Sequence, residues 1–241
     1  MEPSDVPLGS MEMEEGNMST GVKTTRSFCI LSALSGILGV LMLIISFSIN
    51  AGPPRGASGP DLARFVEHSY KSVLWGAWLQ AVGPIFIVLF AFALVHLCGA
   101  DRRLSGWMTF FGATTLMTVN LIEITFYICA LFTSPPGMTE VGINLIDSVQ
   151  HLYFIVSAPA VFLPLGIVLI KSRLIPRVIG YFALGLGGAF ALVGMASLLT
   201  LALPASVTSL GSIQALWWLA AAFALLFSSR RIVALDHSEE A

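Results

Sequence analysis

One acidic side chain stands deep inside an apolar stretch: Glu123, between Trp107 and Phe132. A charged residue at the centre of a bilayer costs at least ~2.5–3.5 kcal/mol on insertion scales. Glu123 must therefore be protonated, paired or reached by water. Each of these makes it a candidate group for binding a proton or a small solute. At about 100° per residue, Thr109, Asn120, Glu123 and Tyr127 share one helix face, with Gly112 and Ala130 beside it. That face must point into a bundle rather than at lipid.

Partners for Glu123 are sought in the neighbouring apolar stretches. Gln80 lies one turn before Gly83-Pro84, and Gln150 and His151 open the fourth stretch. Asp147 and His151 are four apart and so adjacent on a helix, although an acid there is also an ordinary N-terminal signal. Gln214 lies near one end of the last stretch, and Glu67 and His68 come from a loop. The expectation is a polar cavity open to the non-cytoplasmic side, walled by Gln80, Asn120, Glu123, Tyr127, Gln150 and His151. The competing expectation is a hydrogen-bond cluster that locks helices 2, 3 and 4 together. Interhelical hydrogen bonds average about 0.6 kcal/mol. That is small against the cost of inserting a carboxyl group, so packing alone is a weak reason to keep one.

Catalytic and metal templates do not appear. There is no HExxH and no GxSxG, and the four histidines are scattered. Spacing predicts no metal site and no cofactor. The cysteines Cys29, Cys98 and Cys129 lie in or beside apolar stretches and form no CxxC pair, so they read as small buried hydrophobes. An enzyme is not the favoured reading. With a net charge of −2 and no basic tract, nucleic acid is not an expected partner.

The elements that must hold these residues are long apolar blocks. Of the 241 residues 56% are apolar and only 11% charged, against about a quarter in soluble domains. Mean hydropathy is +0.86. Six blocks approach or exceed the ~20 residues a spanning helix needs: Phe28–Ile49, Val73–Leu97, Trp107–Phe132, Val149–Ile170, Val178–Leu203 and Gly211–Phe227. Barrel strands would be shorter and would alternate apolar with polar. The predicted fold is therefore all-α, a polytopic bundle of six transmembrane spans in contact with the lipid bilayer.

Cations set the expected orientation. Lys23, Arg26, Arg102, Arg103, Lys171, Arg173, Arg177, Arg230 and Arg231 fall on one side of a six-span chain, and only Arg55, Arg64 and Lys71 on the other. Both termini are then cytoplasmic. Residues 1–27 are expected to be a disordered acidic tail, and Met11, Met13 and Met18 leave a later start open. The first apolar block is too long for a signal peptide and reads as an anchor. Residues 28–231 form the transmembrane domain and residues 232–241 a polar tail. The outer loop, 50–72, is expected to carry a short amphipathic helix from Pro60 to Tyr70, with Leu62, Phe65, Val66 and Ser69 on one face.

Glycine and proline punctuate the blocks. Gly83-Pro84 should kink the second helix, and Pro159 and Pro164 should kink or widen the fourth. Ser32/Gly36, Ser35/Gly39 and Ala183/Gly187/Ala191 place small residues four apart, which permits close helix approach within the chain.

The stretch Lys171-Ser172-Arg173-Leu174-Ile175-Pro176-Arg177, continuing to Ile179-Gly180-Tyr181, resembles a bacterial multi-pass membrane family grouped as domain of unknown function 4386. Leu121-Ile122-Glu123 and the proline-bearing Tyr153–Gly166 segment add to the likeness, which covers about Phe28 to Phe227. Members of that family often carry an arginine shortly before the glutamate, where this chain has Thr118-Val119-Asn120, so Asn120 takes that place as a hydrogen-bond donor. The resemblance implies a bacterial inner membrane and no particular reaction. The expected function is binding or transport of a small solute or proton through the polar cavity. The alternatives are a structural or regulatory membrane subunit, and an intramembrane enzyme acting on a lipid or quinone with His151 and Glu123 as its acid–base pair.

Overall fold

A computed structural model describes residues 11–50, 59–132, 136–172, 174–200 and 206–239. Among them there is no strand. The helices are α1 (Met11–Ile49), α2 (Gly59–Leu97), α3 (Leu104–Phe132), α4 (Pro136–Leu152), α5 (Ala158–Lys171), α6 (Arg177–Thr200) and α7 (Ser206–Glu239). A π-helical turn, Tyr153–Ser157, joins α4 to α5 without a break. Six segments are long and apolar enough to cross a membrane: Arg26–Ile49, Glu67–Leu97, Leu104–Cys129, Asn144–Lys171, Arg177–Ser197 and Ser209–Ser228. The six-span, all-helical expectation holds, and the chain is a multi-pass membrane protein.

Consecutive spans pack side by side, and α1 closes the ring against α7. The core holds Phe90 of α2, Phe162 of α5, Phe190 of α6, and Trp217 and Trp218 of α7, with Phe154 of the π turn stacked on Phe190. Leucines and phenylalanines such as Leu31, Phe111, Leu192 and Leu216 face outward, as lipid contact requires. Exposed threonines on α3 do not waste their hydroxyls there. Thr114, Thr118 and Thr125 each donate to the carbonyl four residues back.

Small residues set the closest helix pair. Ser35 Oγ donates to the Phe86 carbonyl at 2.9 Å and Ser46 Oγ to the Gly76 carbonyl at 2.7 Å. Between these bonds Gly39 meets Gly83. A Cβ on Gly39 would stand 2.7 Å from the Gly83 oxygen, and one on Gly83 would stand 3.0 Å from the Gly39 oxygen. The small positions of helix 1 thus serve packing inside one chain. On α6, Gly180 and Gly187 meet α5 and Gly194 meets Ile155 of the π turn, at seven-residue steps. That is a wider period than the Ala183/Gly187/Ala191 row read from sequence.

Several boundaries differ from expectation. The Pro60–Tyr70 amphipathic helix is not separate: α2 runs unbroken from Gly59 to Leu97. No glycine or proline lies between Tyr70 and Val73, so nothing stops propagation. α4 begins at Pro136, ahead of the fourth span, and runs on into it, with Gly142, Ile146 and Val149 turning one face inward. α1 starts at Met11, inside the segment expected as a disordered tail. Elongation from an anchored span adds one bond per residue. Residues 1–10 and the outer-loop residues 51–58 lie outside the described residues. α7 runs to Glu239, so the polar tail from 232 continues the last helix.

The fourth span is widened beside Pro159. Pro159 has no N–H for the Ile155 carbonyl and would crowd it in a regular α-helix. The π turn Tyr153–Ser157 lies there and widens the helix, with the Ala158 N–H bonded to the Tyr153 carbonyl.

Candidate functional site

Contacts at the helix ends give the bundle two distinct ends. The Phe28 ring packs edge-on against His96 at 5.7 Å, and Cys98 is hydrogen-bonded to Ser172. The start of α1 and the ends of α2 and α5 therefore lie together. Arg26, Arg102, Arg103, Lys171 and Arg177 belong to this cationic end. The polar side chains named from sequence lie nearer the opposite end.

Two pairings organise them. The first involves Pro84. Lacking an N–H, it leaves the carbonyl four residues back, that of Gln80, without its α-helical donor. Asn120 of α3 supplies the donor: its Nδ2 lies 2.8 Å from the Gln80 oxygen. Both residues are buried, Gln80 at 3% and Asn120 at 8% exposure. In lipid no water can satisfy a freed carbonyl, so the bond supplies the donor that α2 itself lacks there. The proline of α2 and the polar residue of α3 thus belong to one arrangement.

The second pairing involves the acid. Glu123, one turn from Asn120 and 8% exposed, accepts a hydrogen bond through Oε1 from Gln150 Nε2 of α4 at 3.0 Å. Gln150 and Tyr153 are three residues apart and share a face of α4 and its π turn. The Tyr153 hydroxyl donates to Gln214 Oε1 of α7 at 2.7 Å, and Gln214 Nε2 also points at the hydroxyl oxygen. The Glu123 carboxyl is within electrostatic reach of that hydroxyl. A polar belt therefore runs from α2 through α3 and α4 to α7. Glu123 is the one carboxyl group among the side chains named in this belt.

The structure brings together Gln80, Asn120, Glu123 and Gln150 from the expected set. Gln80 takes part through its backbone carbonyl, not through the side chain that singled it out. Tyr127 is half-buried one turn beyond Glu123, and His151 is half-buried beside Gln150; both make contacts of their own. Glu67 and His68 are exposed on the extension of α2. The Asp147 side chain lies outside the described residues. Sequence reasoning missed Tyr153, whose three-residue spacing from Gln150 was the available signal, and left Gln214 out of the cavity wall. Ser157, in the π turn and fully buried, has an Oγ with no hydrogen-bond partner.

No group of three or more His, Cys, Asp or Glu is placed to hold a metal among the described residues. At the cationic end, burial pushes the Cys98 thiol up from its ordinary range, and the Ser172 hydrogen bond offsets part of that. No family model, no curated protein and no solved structure matches this chain.

Proposed function

We propose that this membrane protein binds, and passes on, a proton or a small protonatable solute at Glu123. The observation that carries the reading is the Glu123–Gln150 hydrogen bond, which places a buried carboxyl on a neutral amide within a transmembrane bundle. A neutral amide donor accommodates the carboxyl group in both protonation states. The belt onward through Tyr153 and Gln214 offers hydroxyl and amide groups to a proton or a polar solute.

The orientation proposed from the cations places the cationic end, and both termini, in the cytoplasm. The polar belt then belongs to the outer half of the bilayer. Resemblance to the 4386 family supports a bacterial inner membrane as its location. A reporter fused after Ala241 tests the orientation: alkaline phosphatase active at that position contradicts it.

A second reading has its own observation. The Asn120–Gln80 bond serves the fold, and a structural or regulatory subunit needs nothing more from its polar residues. An enzyme drawing lipid to His151 is less well supported. The lipid-facing groove beside Trp107 and Pro164 opens roughly 18–24 Å along α3 from Glu123, toward the other end.

Proteoliposomes holding a pH-sensitive dye separate the readings. Under an imposed pH gradient with potassium and valinomycin, vesicles with the wild-type protein should lose the gradient faster than empty ones, and Glu123→Gln vesicles should match the empty ones. Equal leak from wild-type and Glu123→Gln vesicles sinks the proton reading and leaves the structural one.

A further inference from the structure

Between α3 and α5, in the half of the bundle near the cationic end, lies an apolar groove of about 540 Å³, lined by Trp107, Met108, Phe111, Pro159, Leu163 and Pro164. Its floor is the closest approach of the two helices. A Cβ on Gly112 would overlap the Ala160 carbonyl oxygen. That carbonyl is the one Pro164 deprives of its helical donor. The glycine lets α3 lie directly against it. The rims of the groove face outward, with Phe111 71% exposed.

Both rims end on a cation. On α3, Arg103, Trp107 and Phe111 recur every four residues, and the Trp107 N–H bonds the Arg103 carbonyl, so Arg103 continues the helical stripe. On α5, Pro159, Leu163, Ile167 and Lys171 recur at the same interval. Arg103 and Lys171 are both exposed and both at the cationic end of the bundle. A membrane-spanning helix places such an end at the headgroup level, where Trp107 also belongs.

We propose that this groove is a binding site for an anionic phospholipid, with an acyl chain lying along Phe111, Leu163 and Pro164 and the phosphate group held between Arg103 and Lys171. Charge complementarity selects the occupant. A zwitterionic lipid fills the groove equally well but gains less from two cations with no acid on either stripe. The site is independent of any role for Glu123 and does not depend on which face of the membrane the cationic end occupies.

Native mass spectrometry of the purified full chain, exchanged into equal amounts of phosphatidylglycerol and phosphatidylcholine, tests it. Wild type should keep phosphatidylglycerol preferentially. Each cation at an anionic headgroup is worth about fivefold in retention, so Arg103→Gln with Lys171→Gln should lower the preference tenfold or more. Leu163→Trp fills the groove and should lower retention of both lipids, whereas Leu192→Trp on the lipid face of α6 should change neither. A double variant that keeps the wild-type preference overturns the proposal. So does a Leu163→Trp chain that retains lipid as wild type does, or a wild type that holds both lipids equally. A dimer in the same spectra that Leu163→Trp dissociates would assign the groove to a second copy of the chain and also overturn it. Variants are compared only as monodisperse protein, and Arg103→Lys, which keeps the charge, should restore the preference in the Arg103→Gln position.

Discussion

Asn120 of α3 donates its side-chain N–H to the Gln80 carbonyl of α2 at 2.8 Å, and that carbonyl is the one Pro84 leaves without a helical donor. A residue first read as the wall of a cavity is therefore also the donor to a carbonyl that a proline frees. The two statements have different consequences under mutation.

Asn120→Leu should leave the Gln80 oxygen unsatisfied in an apolar setting and cost about 1–3 kcal/mol. In a Pro84→Ala background the restored N–H can bond Gln80 within α2, so the same substitution should cost less, with a coupling of at least ~0.5 kcal/mol. Unfolding the purified protein by titrating sodium dodecyl sulfate into mild-detergent micelles measures both. An identical cost in the two backgrounds would show that the proline and the asparagine are not linked.

The glycines separate by what lies over them. Gly112→Ala forces a methyl group into the Ala160 carbonyl, backbone against backbone, and should cost at least ~1–3 kcal/mol by overpacking. Gly188, mid-helix in α6, has open space where its Cβ would be. Gly188→Ala should be neutral or stabilise by up to about 1 kcal/mol, since it only removes backbone freedom from the unfolded chain. Thermal transitions followed by fluorescence-detected size exclusion should move in opposite directions, and a loss of stability in Gly188→Ala would contradict the account.

Cys98 offers a pH readout at the cationic end. Its thiol is held up by burial, and the thiolate is the reactive form. In a chain with Cys29→Ala and Cys129→Ala, maleimide labelling of Cys98 should therefore rise with pH at a higher midpoint than that of a free thiol. The Ser172 hydrogen bond pulls the other way, so Ser172→Ala should move the midpoint higher still. The midpoint, unlike the absolute rate, is insensitive to slow access. A midpoint below that of the free thiol would reverse the sign and refute the burial argument.

The spans were legible because the bilayer imposes one rule, a long apolar helix, and most of the cations cluster at or beyond the ends of the spans. The close pairing of α1 with α2 was legible in part, since Ser35 and Gly39 announce a small-residue seam, but its actual step is seven residues, Gly39 to Ser46 against Gly83 to Gly76, and not the four read from sequence. Helix ends were misread where polar residues continue a helix past the apolar block, as Pro60–Tyr70 does in α2 and Pro136–Asn144 in α4. Composition separates lipid from water there, and water does not stop a helix. The role of Asn120 was in principle readable, because counting four back from Pro84 gives Gln80. What sequence does not give is which of five neighbouring spans brings a donor to that height. The Tyr153–Gln214 pair was hidden for the same reason: its residues are 61 apart and meet only because the ring closes on α7.

Glu123 and Gln150 allow the structural and proton-linked roles to be divided. A glutamine at 123 still presents Oε1 to Gln150 Nε2, so Glu123→Gln should retain the hydrogen bond and fold within about 0.5 kcal/mol of wild type. Glu123→Leu removes the acceptor and leaves the Gln150 amide facing hydrocarbon, at a cost of about 1–3 kcal/mol. If the bond serves only to join α3 to α4, the two variants differ in stability and any membrane activity survives in Glu123→Gln. If the proton is the point, Glu123→Gln is as stable as wild type and yet inert in the vesicle assay. Gln150→Leu then separates the two further: it breaks the same bond from the other side while keeping the carboxyl group, so a proton-linked protein should lose stability but keep some flux. A Gln150→Leu chain as inert as Glu123→Gln would mean that the amide, and not the acid alone, is required to hold the proton in place.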